Sequence, residues 1–116
     1  MFISSASNPH IKAIRALRQR KERERTGLFF VEGIRLVTEV VQPHPPAPSP
    51  ERRGGVIESL IVAPELLTSE HARALVEAQR RAGVTVLDVS RAAFETLSAK
   101  DGPQGLGAVV RQRWER

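Results

Sequence analysis

Ile11, Ile14 and Leu17, with Ala13 and Ala16 between them, recur at three-residue spacing after an Asn8-Pro9 pair. At about 100° per residue this spacing lays a narrow apolar stripe along one side of a helix. Asparagine followed by proline is a strong helix opening, because the side chain can accept from a free backbone N–H and proline at the first helical position gives up no intrahelical bond. The pattern therefore predicts a helix from about Pro9 to about Glu24, with Lys12, Arg15, Arg20 and Arg23 on the side opposite the stripe. Thr26-Gly27 ends it. Leu28-Phe29-Phe30-Val31 is a brief apolar run bounded by glycines, which reads as a buried strand. After Glu32-Gly33, the residues Ile34, Leu36, Val37, Val40 and Val41 predict a helix of about two turns that Pro43 closes.

The proline density between Pro43 and Gly55 excludes a helix or a central strand, so this stretch reads as a surface loop. Beyond it the period alternates. Ile57–Val62 reads as a strand, Thr68–Ala82 as an amphipathic helix built on Ala72, Leu75, Val76 and Ala82, and Val84–Leu87 as a strand after the helix-stopping Gly83. Ser90 caps a short helix over Arg91–Leu97, and Gly105–Val110 makes a last strand. Strands alternating with helices imply a mainly parallel or mixed sheet covered on both faces, a three-layer α/β/α sandwich.

The 116 residues make one ordinary domain, residues 1–116 as a whole, and the apolar content of 41% can build a core without covalent staples. The absence of cysteine excludes thiol catalysis, redox sensing and cysteine-ligated zinc. No apolar run approaches the roughly 20 residues that cross a bilayer, and Met1–Ser5 lacks the features of a secretory signal. The expectation is a cytoplasmic protein with no membrane partner. Charge changes the picture more. The net charge of +5 lies wholly in residues 1–25, where Lys12, Arg15, Arg18, Arg20, Lys21, Arg23 and Arg25 face only Glu22 and Glu24. The remaining 91 residues balance 11 basic against 11 acidic side chains. Seven cations within 14 residues form an electrostatic footprint for a polyanion, with binding that weakens steeply with salt and carries little base information.

Candidate catalytic groups are sparse. Gly102-Pro103-Gln104-Gly105-Leu106-Gly107 has neither the G-x-G-x-x-G order nor a following helix, so it reads as a tight turn feeding a strand. His10, His44 and His71 have no partners at ligand spacing. Neither G-x-S-x-G nor S-x-x-K occurs among the serines. Glu32 could serve as a general base; a carboxylate facing the positive end of the following helix accounts for it more simply. Phe29 and Phe30 lie in a strand that can turn at most one ring outward, which argues against an open stacking platform for bases.

Asn8-Pro9-x-x-Lys12, then Leu17, Lys21, Arg23, Gly27, Phe30-Val31-Glu32-Gly33 and Leu36, followed by Leu97-Ser98 and Pro103-Gln104-Gly105, closely resembles the N-terminal substrate-binding domain of the SpoU/TrmH family of RNA 2′-O-ribose methyltransferases. The likeness spans nearly the whole chain outside the proline-rich loop, which reads as an insertion. It implies an α/β/α domain similar to small RNA-binding ribosomal proteins, with RNA, ribosomal or transfer, as partner. It also implies that methyl transfer from S-adenosylmethionine belongs to a knotted domain expected after residue 116, which would carry most of a homodimer interface. By the same resemblance this chain holds no catalytic residue and binds no cofactor; the residues themselves give no metal site, and the charge cluster makes Lys12, Arg15, Arg18, Arg20, Lys21, Arg23 and Arg25 the expected RNA contacts. Asn8, Pro9, Glu32, Gly33, Pro103, Gln104 and Gly105 are the other matched positions. The alternatives are a free-standing ribosome-associated RNA-binding protein and a basic module that docks on an acidic protein.

Overall fold

The computed structural model describes residues 2–41, 55–99 and 102–112. Its elements run β1 (Phe2–Ile3), α1 (Pro9–Ala16), α2 (Arg20–Thr26), β2 (Leu28–Glu32), α3 (Ile34–Val41), β3 (Gly55–Val62), α4 (Glu70–Arg81), β4 (Thr85–Val89), α5 (Arg91–Glu95) and β5 (Leu106–Gln112). The strands form one sheet in the order β1-β4-β3-β5-β2. The first three strands of that order are parallel, and β5 runs antiparallel to both β3 and β2. The sheet is thus mixed. The two-residue β1 was not visible in the pattern because Phe2-Ile3 is too short to show a period.

The three layers follow from alternation along the strands. Ile61 and Val109 point to the face covered by Ile11, Ile14 and Leu17 of the first helix and by Ala93 and Phe94 of α5. Leu60, Val62, Leu106, Ala108 and Val110 point to the other face, against Val37 of α3 and Ala72, Leu75 and Val76 of α4. In β2 the rings part company: Phe30 packs on the first face and Phe29 on the second. Phe30 lies against Gly107 of β5, where any Cβ would collide with the ring.

The expected continuous helix from Pro9 to Glu24 is two helices. Asn8 caps α1 as predicted, its Oδ1 accepting from His10 N at 2.8 Å. The apolar stripe stops at Leu17, so a longer helix would have nothing further to bury and would carry the chain away from the sheet. Instead Leu17, Arg18 and Gln19 donate to carbonyls three residues back, which tightens the last turn, and Gln19 is extended. Arg23 then reaches back from α2 and donates to the carbonyls of Leu17 and Arg18, both at 2.8 Å, satisfying acceptors that the end of α1 leaves orphaned. Nothing in α2 is buried, and Gly27 ends it in the left-handed conformation at φ 73°.

Where β2 and β3 end and β5 begins, side-chain and backbone hydrogen bonds tie the chain together. Glu32 is buried, and its carboxyl group accepts from Ser98 Oγ and, at 3.2 Å, from Ala99 N. At the start of α3 the Ile34 N–H donates to Gln104 Oε1 at 2.9 Å. Gly33 N donates to Leu106 O at 2.9 Å, and Ala63 N to Gly105 O at 2.9 Å. Gly105 has φ 87°, and a Cβ there would sit 2.7 Å from Leu66 Cβ and 2.9 Å from both Ala63 O and Leu67 N.

Two stability predictions follow from this junction. Gly105→Ala combines a left-handed backbone with a steric collision and should cost about 3 kcal/mol or more in urea unfolding. Gly27→Ala, with nothing within 4 Å, should cost only the conformational penalty of about 1–2 kcal/mol; equal losses would show that Gly105 is not closely packed. Glu32→Ala leaves the Ser98 and Ala99 donors without this acceptor and should cost about 2 kcal/mol, lowering the melting temperature by about 10 °C. A melting temperature unchanged by that substitution would mean that the junction does not depend on the carboxyl group.

Candidate nucleic-acid interface

Seven cations were expected to meet RNA, with Lys12, Arg15, Arg20 and Arg23 on the helical face opposite the apolar stripe; the contacts around α1 and α2 sort the seven into three groups. Arg20 Nε pairs with Glu24 Oε2 at 2.8 Å, and Arg25 Nη2 with Glu22 Oε1 at 2.7 Å, both within α2. The hydrogen bond from Arg25 lowers the Glu22 pKa, and the reciprocal bond raises that of Arg25, so this pair stays ionised across the neutral range. The two acidic residues of the segment therefore neutralise two of its seven cations. Lys12, Arg15, Arg18, Lys21 and Arg23 have no carboxylate partner among the described residues, and they make up the whole excess of +5.

Three of these five are held by backbone carbonyls. Arg15 Nη2 donates to Ala6 O at 2.6 Å, Arg18 Nη2 to Thr96 O at 2.9 Å, and Arg23 Nη1 to Leu17 O and Arg18 O. A carbonyl occupies one or two of the five guanidinium donors and leaves the formal charge uncompensated. These arginines are therefore held in position with charge to spare. Arg15 and Arg23 are half-buried instead of facing solvent as the single-helix pattern placed them. Lys12 and Lys21 are exposed, and their side chains make no hydrogen bond or ion pair among the described residues.

Arg15, Arg18 and Arg23 line one groove of about 350 Å³ along β2, whose apolar lining includes Phe29, Phe30 and Leu36. Lys12, Arg20, Lys21 and Arg25 lie outside it. Leu36 is one of two large apolar side chains among the described residues that are substantially exposed, at 47%. The sequence did carry a signal for it: α3 has apolar residues on more of its circumference than one buried stripe requires. The groove itself could not be read in advance, because its walls come from segments brought together only by the fold.

The other matched positions have architectural places. Asn8 and Pro9 open α1, while Glu32, Gly33, Gln104 and Gly105 meet at the strand-end junction, with Pro103 half-buried beside them. The glycine-containing segment at 102–107 leads into β5 as expected and starts no helix. His10 and His71 are exposed, and no group of three potential metal ligands occurs among the described residues. His44 and the proline-rich loop up to residue 54 lie outside those residues, as do Lys100 and Asp101. No helix among the described residues is long and apolar enough to cross a membrane.

Comparison with known proteins agrees with this architecture. The family model of the MRM3-like substrate binding domain matches residues 8–108. Among solved structures, an RNA 2′-O ribose methyltransferase superposes with a TM-score of 0.75 at 29% identity, covering 96% of this chain and 37% of that one. An rRNA methyltransferase from Sinorhizobium meliloti, also solved with AdoMet bound, gives a TM-score of 0.68 at 30% identity over 99% of this chain and 38% of its own. A putative RNA methyltransferase of the TrmH family from Porphyromonas gingivalis gives 0.57 at 25% identity, over 90% and 35%. No curated protein matches. The chain spans less than two fifths of the length of these solved relatives. With the family model covering nearly the whole fold and the same architecture forming part of RNA 2′-O-ribose methyltransferases, the chain belongs to the MRM3-like substrate binding domains of the SpoU/TrmH family.

Proposed function

We propose that this chain is the RNA-recognition part of an rRNA or tRNA 2′-O-ribose methyltransferase, binding the substrate while a knotted domain outside these residues transfers the methyl group and forms most of a homodimer contact. The observation that carries this reading is the set of five cations on the α1–α2 arm that no carboxylate neutralises. In a domain of a substrate-binding family, uncompensated charge held on one arm suits the sugar–phosphate backbone of RNA. Each phosphate neutralised releases condensed counterions, so affinity comes with a characteristic dependence on salt.

Methyl transfer is assigned elsewhere on chemical grounds. The one glycine-containing segment resembling a nucleotide-binding loop enters a strand, uses Gln104 to cap α3 and packs Gly105 against Leu66, so it offers no free helix N-terminus or open cradle to S-adenosylmethionine. These residues do not fit the methyl donor. Binding without catalysis is the role that their chemistry supports.

Lys12 and Lys21 are the positions at which to test this, since neither holds the fold together. Lys12→Ala combined with Lys21→Ala should leave the melting temperature unchanged, weaken binding to RNA, and reduce the slope of log K against log salt by about 1–2. Titration between 50 and 200 mM salt reads that slope. A slope equal to that of the parent chain would remove the arm as the contact surface, and equal affinity for a non-nucleic polyanion would favour a protein-docking module.

A further inference from the structure

The groove beside β2 combines two features that duplex binding does not require together: a rim of fixed guanidinium groups and an apolar wall. Arg15, Arg18 and Arg23 line it with Phe29, Phe30 and Leu36. All three arginines are held by backbone carbonyls at 2.6–2.9 Å, so much of the rotamer freedom that binding would otherwise remove is already lost on folding. Each retains further N–H donors. Glu32 also lines the groove, and its carboxyl group accepts from Ser98 Oγ and Ala99 N.

We infer that this groove binds one unpaired nucleotide of an RNA, with its phosphate among the three guanidinium groups and its base against the apolar wall at Leu36. The inference rests on the proposed RNA-binding function and specifies the form of RNA that the site takes. Charge complementarity selects the phosphate. The volume of about 350 Å³ lies at the small end of the range for single-ligand sites and suits one nucleotide better than a helix. The apolar wall selects the unpaired state, because a base inside a duplex keeps its faces stacked on its neighbours and can offer neither to Leu36. Phe29 and Phe30, half-buried on opposite faces of the sheet, do not form an open stacking platform; they line the groove, and the exposed Leu36 is the apolar group that a base can cover. Lys12 and Lys21, outside the groove, would follow the flanking backbone without regard to strandedness.

The test compares the 116-residue chain with its Leu36→Glu variant, using a single-stranded RNA oligonucleotide and a blunt RNA duplex of the same length in the same salt. Leu36 is exposed, and its replacement removes no cation and no hydrogen bond, so an unchanged melting temperature is expected and is checked first. The parent chain should prefer the single strand, and the variant should lose about tenfold in affinity for it while duplex binding changes less than twofold. Photocrosslinking of a 4-thiouridine-substituted oligonucleotide to the unmutated chain provides a second reading that needs no variant, and it should map to peptides containing Phe29–Leu36. Equal loss for both RNAs, no preference in the parent chain, or crosslinks confined to other peptides would overturn the groove assignment while leaving RNA binding intact. Failure of the parent chain to bind either RNA at low salt would instead overturn the proposed function along with it.

Discussion

A carboxyl group buried at the end of an edge strand must find donors there, and the way Glu32 finds them organises much of this molecule. Its acceptance from Ser98 Oγ and Ala99 N draws the segment after α5 against the end of β2. That segment in turn presents the Thr96 carbonyl to Arg18. One buried acceptor thereby links the edge of the sheet, the chain between α5 and β5, and a cation of the basic arm. Gln104 and Gly105 complete the same junction from the other side, one capping α3 and the other packed where no side chain fits. The arm's position is thus set by polar contacts as much as by the apolar stripe of α1.

The second constraint is electrostatic. Surface ion pairs such as Arg20–Glu24 and Arg25–Glu22 contribute little to stability. Their importance here is that they decide which cations are left over. By occupying both carboxylates of the segment within α2, they leave Lys12, Arg15, Arg18, Lys21 and Arg23 to carry the excess charge. Backbone carbonyls then divide that remainder into three fixed guanidinium groups around a groove and two exposed ammonium groups on the outside. A seven-residue charge cluster becomes two surfaces of different rigidity. Fixed arginines suit positional recognition, and mobile lysines suit long-range attraction.

The residues that carry the family resemblance divide in a similar way. Asn8, Pro9, Glu32, Gly33, Gln104 and Gly105 are explained by caps, turns and the strand-end junction. Arg23 belongs to both groups, since it closes the end of α1 and also contributes charge to the groove. A motif can therefore identify a family accurately while most of its members act on the fold and only a few are available to a ligand.

Local chemistry determined much of this in advance. The caps at Asn8 and Ser90, the helix-stopping Gly83, the layered arrangement of strands and helices and the concentration of charge in residues 1–25 all depend on neighbours in sequence, so they were legible there. The pairing of β1, the partners of Glu32 and the anchoring of Arg18 were not. These depend on contacts between residues far apart in the chain: Ile3 with Val89, Glu32 with Ser98, Arg18 with Thr96. A periodic pattern can report that a helix has an apolar side and a charged side, but which charges are neutralised, which are held still and which face open space is settled only when distant segments supply their carbonyls and carboxyl groups.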